Sequence, residues 1–79
     1  MLFGRAGHDK LVDGKGDDIL KGGADADVLL AGLGNDQLFG AAGNDILVAR
    51  DNIGANDTID GGTDTNTCVA DLGDTLTNC

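Results

Sequence analysis

The chain has 79 residues, enough for one small domain whose core alone is marginal, since a chain this short buries only about 60% of its unfolded surface. Fourteen acidic groups, every one an aspartate, stand against five basic ones, and the net charge of −9 disfavours nucleic acid or an anionic membrane surface as partner and favours cations. No apolar stretch nears the ~20 residues of a membrane span, no basic segment followed by an apolar run marks a signal peptide, and 41% apolar residues is more than a disordered acidic tail carries.

The apolar residues are placed regularly. Met1–Leu2–Phe3 reads as the tail of an interrupted unit with Leu2 pointing inward, so an upstream portion is expected. From there aspartates recur at Asp9, Asp18, Asp27, Asp36 and Asp45, in steps of nine, and a leucine follows each by two: Leu11, Leu20, Leu29, Leu38 and Leu47. With the aspartate as sixth member, the units are Gly4–Val12, Asp13–Lys21, Gly22–Leu30, Ala31–Phe39 and Gly40–Val48. Asp57 and Ile59 resume the pattern after three extra residues, which places an insertion near Ala49, Arg50 and Asp51. A sixth unit spans Asn52–Asp60, and a degenerate seventh, Gly61–Val69, carries Asn66 in the aspartate slot and Cys68 in the leucine slot. Residues 1–69 are thus the repeat region and 70–79 a C-terminal cap or tail.

The units resemble the nonapeptide glycine-glycine-x-glycine-x-aspartate-x-apolar-x of the RTX (repeats-in-toxin) calcium-binding family. The resemblance implies an all-β fold, a right-handed parallel β-roll (a solenoid) of about three to four coils, with two units per coil. It also implies Ca²⁺ between stacked loops, held by Asp9, Asp18, Asp27, Asp36, Asp45 and Asp57. Carbonyls would come from the first and third loop positions: Gly4 and Ala6, Gly22 and Ala24, Gly40 and Ala42. Such modules fold on calcium binding in secreted proteins, beside protease, lipase, cytolysin or adhesin domains. The expected partners are therefore calcium ions and an upstream catalytic or adhesive domain, and the expected location is extracellular.

Elementary physics supports that reading. The first six residues of a unit are expected to be loop, with glycines at positive φ, and the last three strand. Alternation then sends Leu11, Leu20, Leu29, Leu38, Leu47 and Ile59 inward, each contributing about 1.5–3 kcal/mol if fully buried. Loops eighteen residues apart share a rim, so one rim carries Asp9, Asp27, Asp45 and Asn66, and the other Asp18, Asp36 and Asp57. Carboxylates stacked at the ~4.8 Å strand spacing repel by up to roughly 3.5 kcal/mol at an effective dielectric near 20. That rivals the gain from each leucine, so the metal-free coil should be unfolded or nearly so. Ca²⁺, with six to eight oxygen ligands in flexible geometry, reverses the sign better than Mg²⁺. A solvated row of aspartates with no specific ion is the simpler alternative, and the repeat match weighs against it.

Several positions depart from the pattern. Arg5 and Ala41 hold second-glycine places, Asp13 and Ala31 first-glycine places, and Asp25, Ala55 and Asp64 fourth-glycine places. Where φ is positive, Ala and Arg should cost on the order of 1 kcal/mol, Asp less. Cys68 and Cys79 would close a tail loop as a disulfide worth roughly 2–3 kcal/mol, fitting an oxidising setting; a buried Cys68 beside a free Cys79 is the alternative. His8 reads as a solvated loop residue, and the Asn56–Asp57–Thr58 sequon follows automatically from the repeat. An EF-hand is excluded because the chain has no Glu. Without Ser, and with one His, the sequence offers no basis for catalysis and the chain reads as a non-enzyme. A competing function is a structural or adhesive solenoid that binds a surface or polysaccharide through an outward ladder. The outward slots Lys10, Ile19, Val28, Gln37, Ile46, Thr58 and Thr67 make no such ladder over most of the chain.

Overall fold

A computed structural model describes residues 2–5, 7–12, 14–49, 57–70 and 74–79. Among these there are nine strands: β1 (Leu2–Phe3), β2 (Lys10–Val12), β3 (Ile19–Gly23), β4 (Val28–Leu30), β5 (Gln37–Ala41), β6 (Ile46–Ala49), β7 (Thr58–Asp60), β8 (Thr67–Ala70) and β9 (Thr75–Thr77). Odd and even strands separate into two parallel sheets, ordered β1-β3-β5-β7-β9 and β2-β4-β6-β8. Successive strands therefore alternate between sheets, and the chain winds as a β-solenoid of about four turns.

The nine-residue period explains this winding. Each unit offers one three-residue strand, too short to stand alone, and a turn that carries the chain to the opposite sheet. In-register pairing follows, with Leu20 opposite Leu38, Leu38 opposite Ile59, and Leu29 opposite Leu47. The eighth-position side chains then stack between the sheets, and Leu20, Leu29, Leu38, Leu47 and Ile59 are fully buried. Leu2, Leu11 and Cys68, nearer the ends of the stack, are partly buried against them. The core is one side chain thick, consistent with a smallest extent of 12 Å. Positions on either side of each leucine face outward, and Lys21 lies between Phe3 and Phe39, its Nζ 5.5 and 5.9 Å from the two ring centres.

Three features differ from or extend the expectation. Strands β3 and β5 run two residues into the next unit, because Gly23 and Ala41 continue the ladder as a pair. Beyond the expected repeats, β9 pairs with β7 and sets Leu76 opposite Ile59. The spacing between partners widens from 18 to 21 residues where β7 follows β5 and β8 follows β6, yet neither sheet loses register. Ala49, placed by sequence near the insertion, is a buried member of β6 paired with Ala70, whereas Arg50 and Asp51 lie outside the described residues.

Cys68 and Cys79 are joined in a disulfide, with Cα atoms 5.7 Å apart. It ties β8 in one sheet to the chain just past β9 in the other, closing the last turn. In the chain-entropy view such a short loop contributes roughly 2–3 kcal/mol.

Candidate metal centre

The rims are built from the turns that join the sheets. Their geometry requires left-handed backbone at fixed places, and the chain adopts it even without glycine: φ is 73° at Arg5, 72° at Asp25, 70° at Ala41 and 68° at Asp64. Gly43 shows why some places admit nothing else. Its φ is 103°, and a Cβ there would collide with the Asp25 carbonyl of the preceding turn.

Turns stack eighteen residues apart, and each sixth-position side chain reaches back to the turn before. The Asp9 N–H donates to Asp27 Oδ1, Asp18 to Asp36, and Asp27 to Asp45, each at 2.8 Å. Across the insertion, Asp36 N–H donates to Asp57 Oδ1 at 2.7 Å and Asp45 N–H to Asn66 Oδ1 at 2.9 Å. Both expected rims are thus assembled, with Asp27, Asp36, Asp45 and Asp57 at most 2% exposed and Asp9 and Asp18 half-buried at the outer turn.

One carboxylate oxygen of Asp27, Asp36, Asp45 and Asp57 is accounted for in this way. On the first rim the other oxygen, Oδ2 of Asp9, Asp27 and Asp45, is buried with no hydrogen-bond partner. Next to it lies the first glycine of the same unit. A Cβ on Gly22 would come within 2.7 Å of Asp27 Oδ2 and 3.0 Å of the Gly40 carbonyl oxygen. Gly4 repeats the arrangement with Asp9 Oδ2 and the Gly22 carbonyl, and Gly40 with Asp45 Oδ2 and the Gly61 carbonyl. Carboxylate and carbonyl oxygens therefore converge with no donor between them. Leaving a buried acceptor unpaired costs about 1–3 kcal/mol, more for a charged one. The deficit is one of positive charge. Among the described residues no three His, Cys or Asp side chains meet at a point, so the donor set is neighbouring carboxylates plus backbone carbonyls. All are hard oxygen, which suits a hard divalent cation.

The description RTX calcium-binding nonapeptide repeat (4 copies) matches residues 3–38, 22–51 and 54–76, most of the chain. The chain belongs to the RTX calcium-binding nonapeptide repeat family. Comparison with curated proteins and with solved structures gives no match.

In this RTX chain the remaining sequence-derived ligand positions fall as follows. Gly4, Gly22 and Gly40 lie against the aspartate oxygens. Ala24 and Ala42 sit two residues further along the same turns, the Ala42 N–H donating to the Gly23 carbonyl at 3.2 Å. Ala6 lies outside the described residues. His8 is exposed, with Nδ1 2.9 Å from the Ala26 carbonyl oxygen of the next turn.

Sequence reasoning missed four aspartates on the rims, among them Asp17, whose Oδ1 accepts from the Asn35 N–H at 2.8 Å. Asp25 and Asp64 replace glycine yet work across turns, accepting from the Gly7 and Gly43 N–H groups at 3.0 and 2.9 Å. Asp74 extends the second rim by one turn, its Oδ1 accepting from the Asp57 N–H at 3.1 Å. The signal for Asp74 was present in Asp74–Thr75–Leu76, which repeats Asp57–Thr58–Ile59 at a step of 17.

Burial pushes the Asp27 carboxyl above its ordinary value of 3.8; the Asp9 N–H bond opposes this, the Asp9 and Asp25 charges add to it, and His8 offsets a little. Asp45 moves the same way, through burial and the charges of Asp27 and Asp64, against the Asp27 N–H bond. A folded-state pKa above the unfolded one means the metal-free fold binds more protons than the unfolded chain. The stability these two groups contribute is therefore fully present below about 3.8 and is lost as pH rises through the raised values. In calcium-stripped buffer, the β signal in circular dichroism is expected to grow as pH falls from about 7 towards about 4. With calcium present the trend should reverse, because protons compete for the same oxygens. Metal-free β content that fell on acidification would contradict this account.

Proposed function

We propose that this chain is a calcium-folded module of a secreted protein, with ions seated along both rims between stacked turns. On the first rim the holders are Asp9, Asp27 and Asp45 with the carbonyls of Gly22 and Gly40, extended by Gly4, Ala6, Ala24 and Ala42. On the second they are Asp18, Asp36 and Asp57, joined by Asp74. The observation that carries the reading is the pair of buried oxygens, Asp27 Oδ2 and Asp45 Oδ2, that face carbonyls without any donor. A bound Ca²⁺ supplies the positive charge that lets these oxygens pack. The chain's own part is to fix them at strand spacing and to hold the Asp27, Asp36, Asp45 and Asp57 carboxylates each by one hydrogen bond from the turn before. Binding free energy then becomes folding free energy, and a module outside the cell would fold on arrival where calcium is abundant. The disulfide suits that location. The chain's role is structural rather than catalytic, in support of a neighbouring catalytic or adhesive domain.

Titration with CaCl₂, followed by circular dichroism, is expected to convert a largely disordered spectrum into a β spectrum, with a midpoint of about 10⁻⁴–10⁻³ M. Equal MgCl₂ should achieve much less. A full β spectrum in chelator would overturn the reading and favour a metal-independent adhesive solenoid. The outward faces give that alternative little, since the column Ile19, Gln37, Thr58, Thr75 ends in only two threonines.

A further inference from the structure

The last turn of the first rim differs from the others in one atom. In the turns of Asp9, Asp27 and Asp45, the first glycine of the unit lies beside the aspartate Oδ2 and the carbonyl of the next turn. At Gly61 the same two places are taken by Asn66 Nδ2, 2.6 Å from a Cβ built there, and by the Asn78 carbonyl oxygen. Asn66 Oδ1 keeps the common task, accepting from the Asp45 N–H. Its Nδ2, by contrast, is a donor, 3.1 Å from the Thr63 carbonyl oxygen, 3.3 Å from that of Asn78 and 3.5 Å from that of Asp64. Thr63 holds the third position of its unit and Asp64 the fourth, so the amide gathers carbonyls of its own turn and of the turn that follows.

We infer that Asn66 replaces an ion: its side-chain amide sets a donor among the carbonyls of this turn and the next, in the place where the other turns of this rim hold an unpartnered aspartate Oδ2. This inference rests on the calcium reading of the other turns. An amide carries no net charge and two N–H donors, so it cannot bridge two carboxylates, but here it need not. Asn66 is itself neutral, and the oxygens it meets are carbonyls: its two N–H groups serve Thr63 and Asn78, with the longer contact to Asp64 shared. The amide also occupies the place beside Gly61 that a cation would need. The terminal turn therefore closes without calcium. It is braced by Asn78 Nδ2 donating to Asp60 Oδ1 at 2.9 Å, by the Gly62 N–H donating to the same oxygen, and by the Cys68–Cys79 disulfide.

Asn66→Asp tests this on the full chain. Replacing Nδ2 by an oxygen restores the pattern of the other turns, so calorimetric calcium titration should find one more ion bound than in the wild type. In chelator at fixed trimethylamine oxide the variant should show less residual β signal than the wild type. Unchanged stoichiometry beside a calcium-binding wild type would overturn this inference alone; a wild type that binds no calcium would overturn the calcium reading with it. Should Asn66→Asp not fold, the wild type decides. In the calcium-saturated protein, both Asn66 side-chain amide protons should show hydrogen-bonded shifts and a small temperature dependence in ¹⁵N-resolved NMR. Free-amide behaviour there would refute the substitution of amide for ion.

Discussion

Asp27→Asn is expected to stabilise the fold without calcium and destabilise it with calcium. Asparagine keeps the shape and the Oδ1 that accepts from the Asp9 N–H. It removes a charge whose burial, together with the neighbouring Asp9 and Asp25 charges, holds the Asp27 carboxyl above its usual pKa. It also places a donor beside the Gly40 carbonyl, as Asn66 does beside that of Asn78. Relief of a buried unsatisfied acceptor is worth about 1–3 kcal/mol, and this is the expected gain in chelator. Residual β signal measured at fixed trimethylamine oxide, which favours burial without metal, should reveal it. With calcium the same change deletes a charged ligand from the centre of the first rim. Loss of even a supporting group at a metal site costs about 10–100-fold in affinity, so the calcium midpoint should rise at least tenfold. Two shifts of the same sign would show that charge at residue 27 is not what the ion corrects.

Leu38→Ala should be the most damaging core change. Leu38 is fully buried and pairs with Leu20 on one side and Ile59 on the other, so neither neighbour can close the gap without breaking strand register. Buried leucine-to-alanine changes cost about 2.7–5.0 kcal/mol, a large part of the stability of so small a domain. Linkage converts that loss into a calcium requirement. If folding takes up about four ions together, the midpoint should move roughly 3- to 8-fold, because each ion supplies a quarter of the deficit. The exposed neighbour Gln37→Ala should stay within about 0.5 kcal/mol of wild type. A calcium midpoint unmoved by Leu38→Ala would mean that binding precedes, and does not drive, assembly of the core.

The inward column and the rim aspartates from Asp9 to Asp45 are legible in the sequence because a period of nine fixes them by counting, and Asp57 because Ile59 follows it by two. Leu29 and Asp27 hold the same places in every turn, whatever surrounds them. Other features depend on what a turn meets rather than on its own residues. The two extra strand residues at Ile19–Gly23 exist because Gly23 finds Ala41 to pair with. Asp25 reads as a flawed glycine until the Gly7 N–H appears above it. Asp74 falls off the nine-residue count because it follows Asp57 by 17 residues. The sequence alone does not decide the disulfide, because the 5.7 Å between Cys68 and Cys79 arises only when the coil returns the chain end to β8.

The spacing between stacked aspartates is 18 residues at most turns, 21 between Asp36 and Asp57 and 17 at the last, with hydrogen bonds of the same kind at each. Peptide length and coil pitch are therefore uncoupled. Each turn answers only to the turns directly above and below it, and those ask for a carboxylate and an apolar side chain at fixed height, not for a fixed contour between them. An insertion between rungs is therefore absorbed locally, and β5 with β7 and β6 with β8 continue in register across it as if the added length were not there.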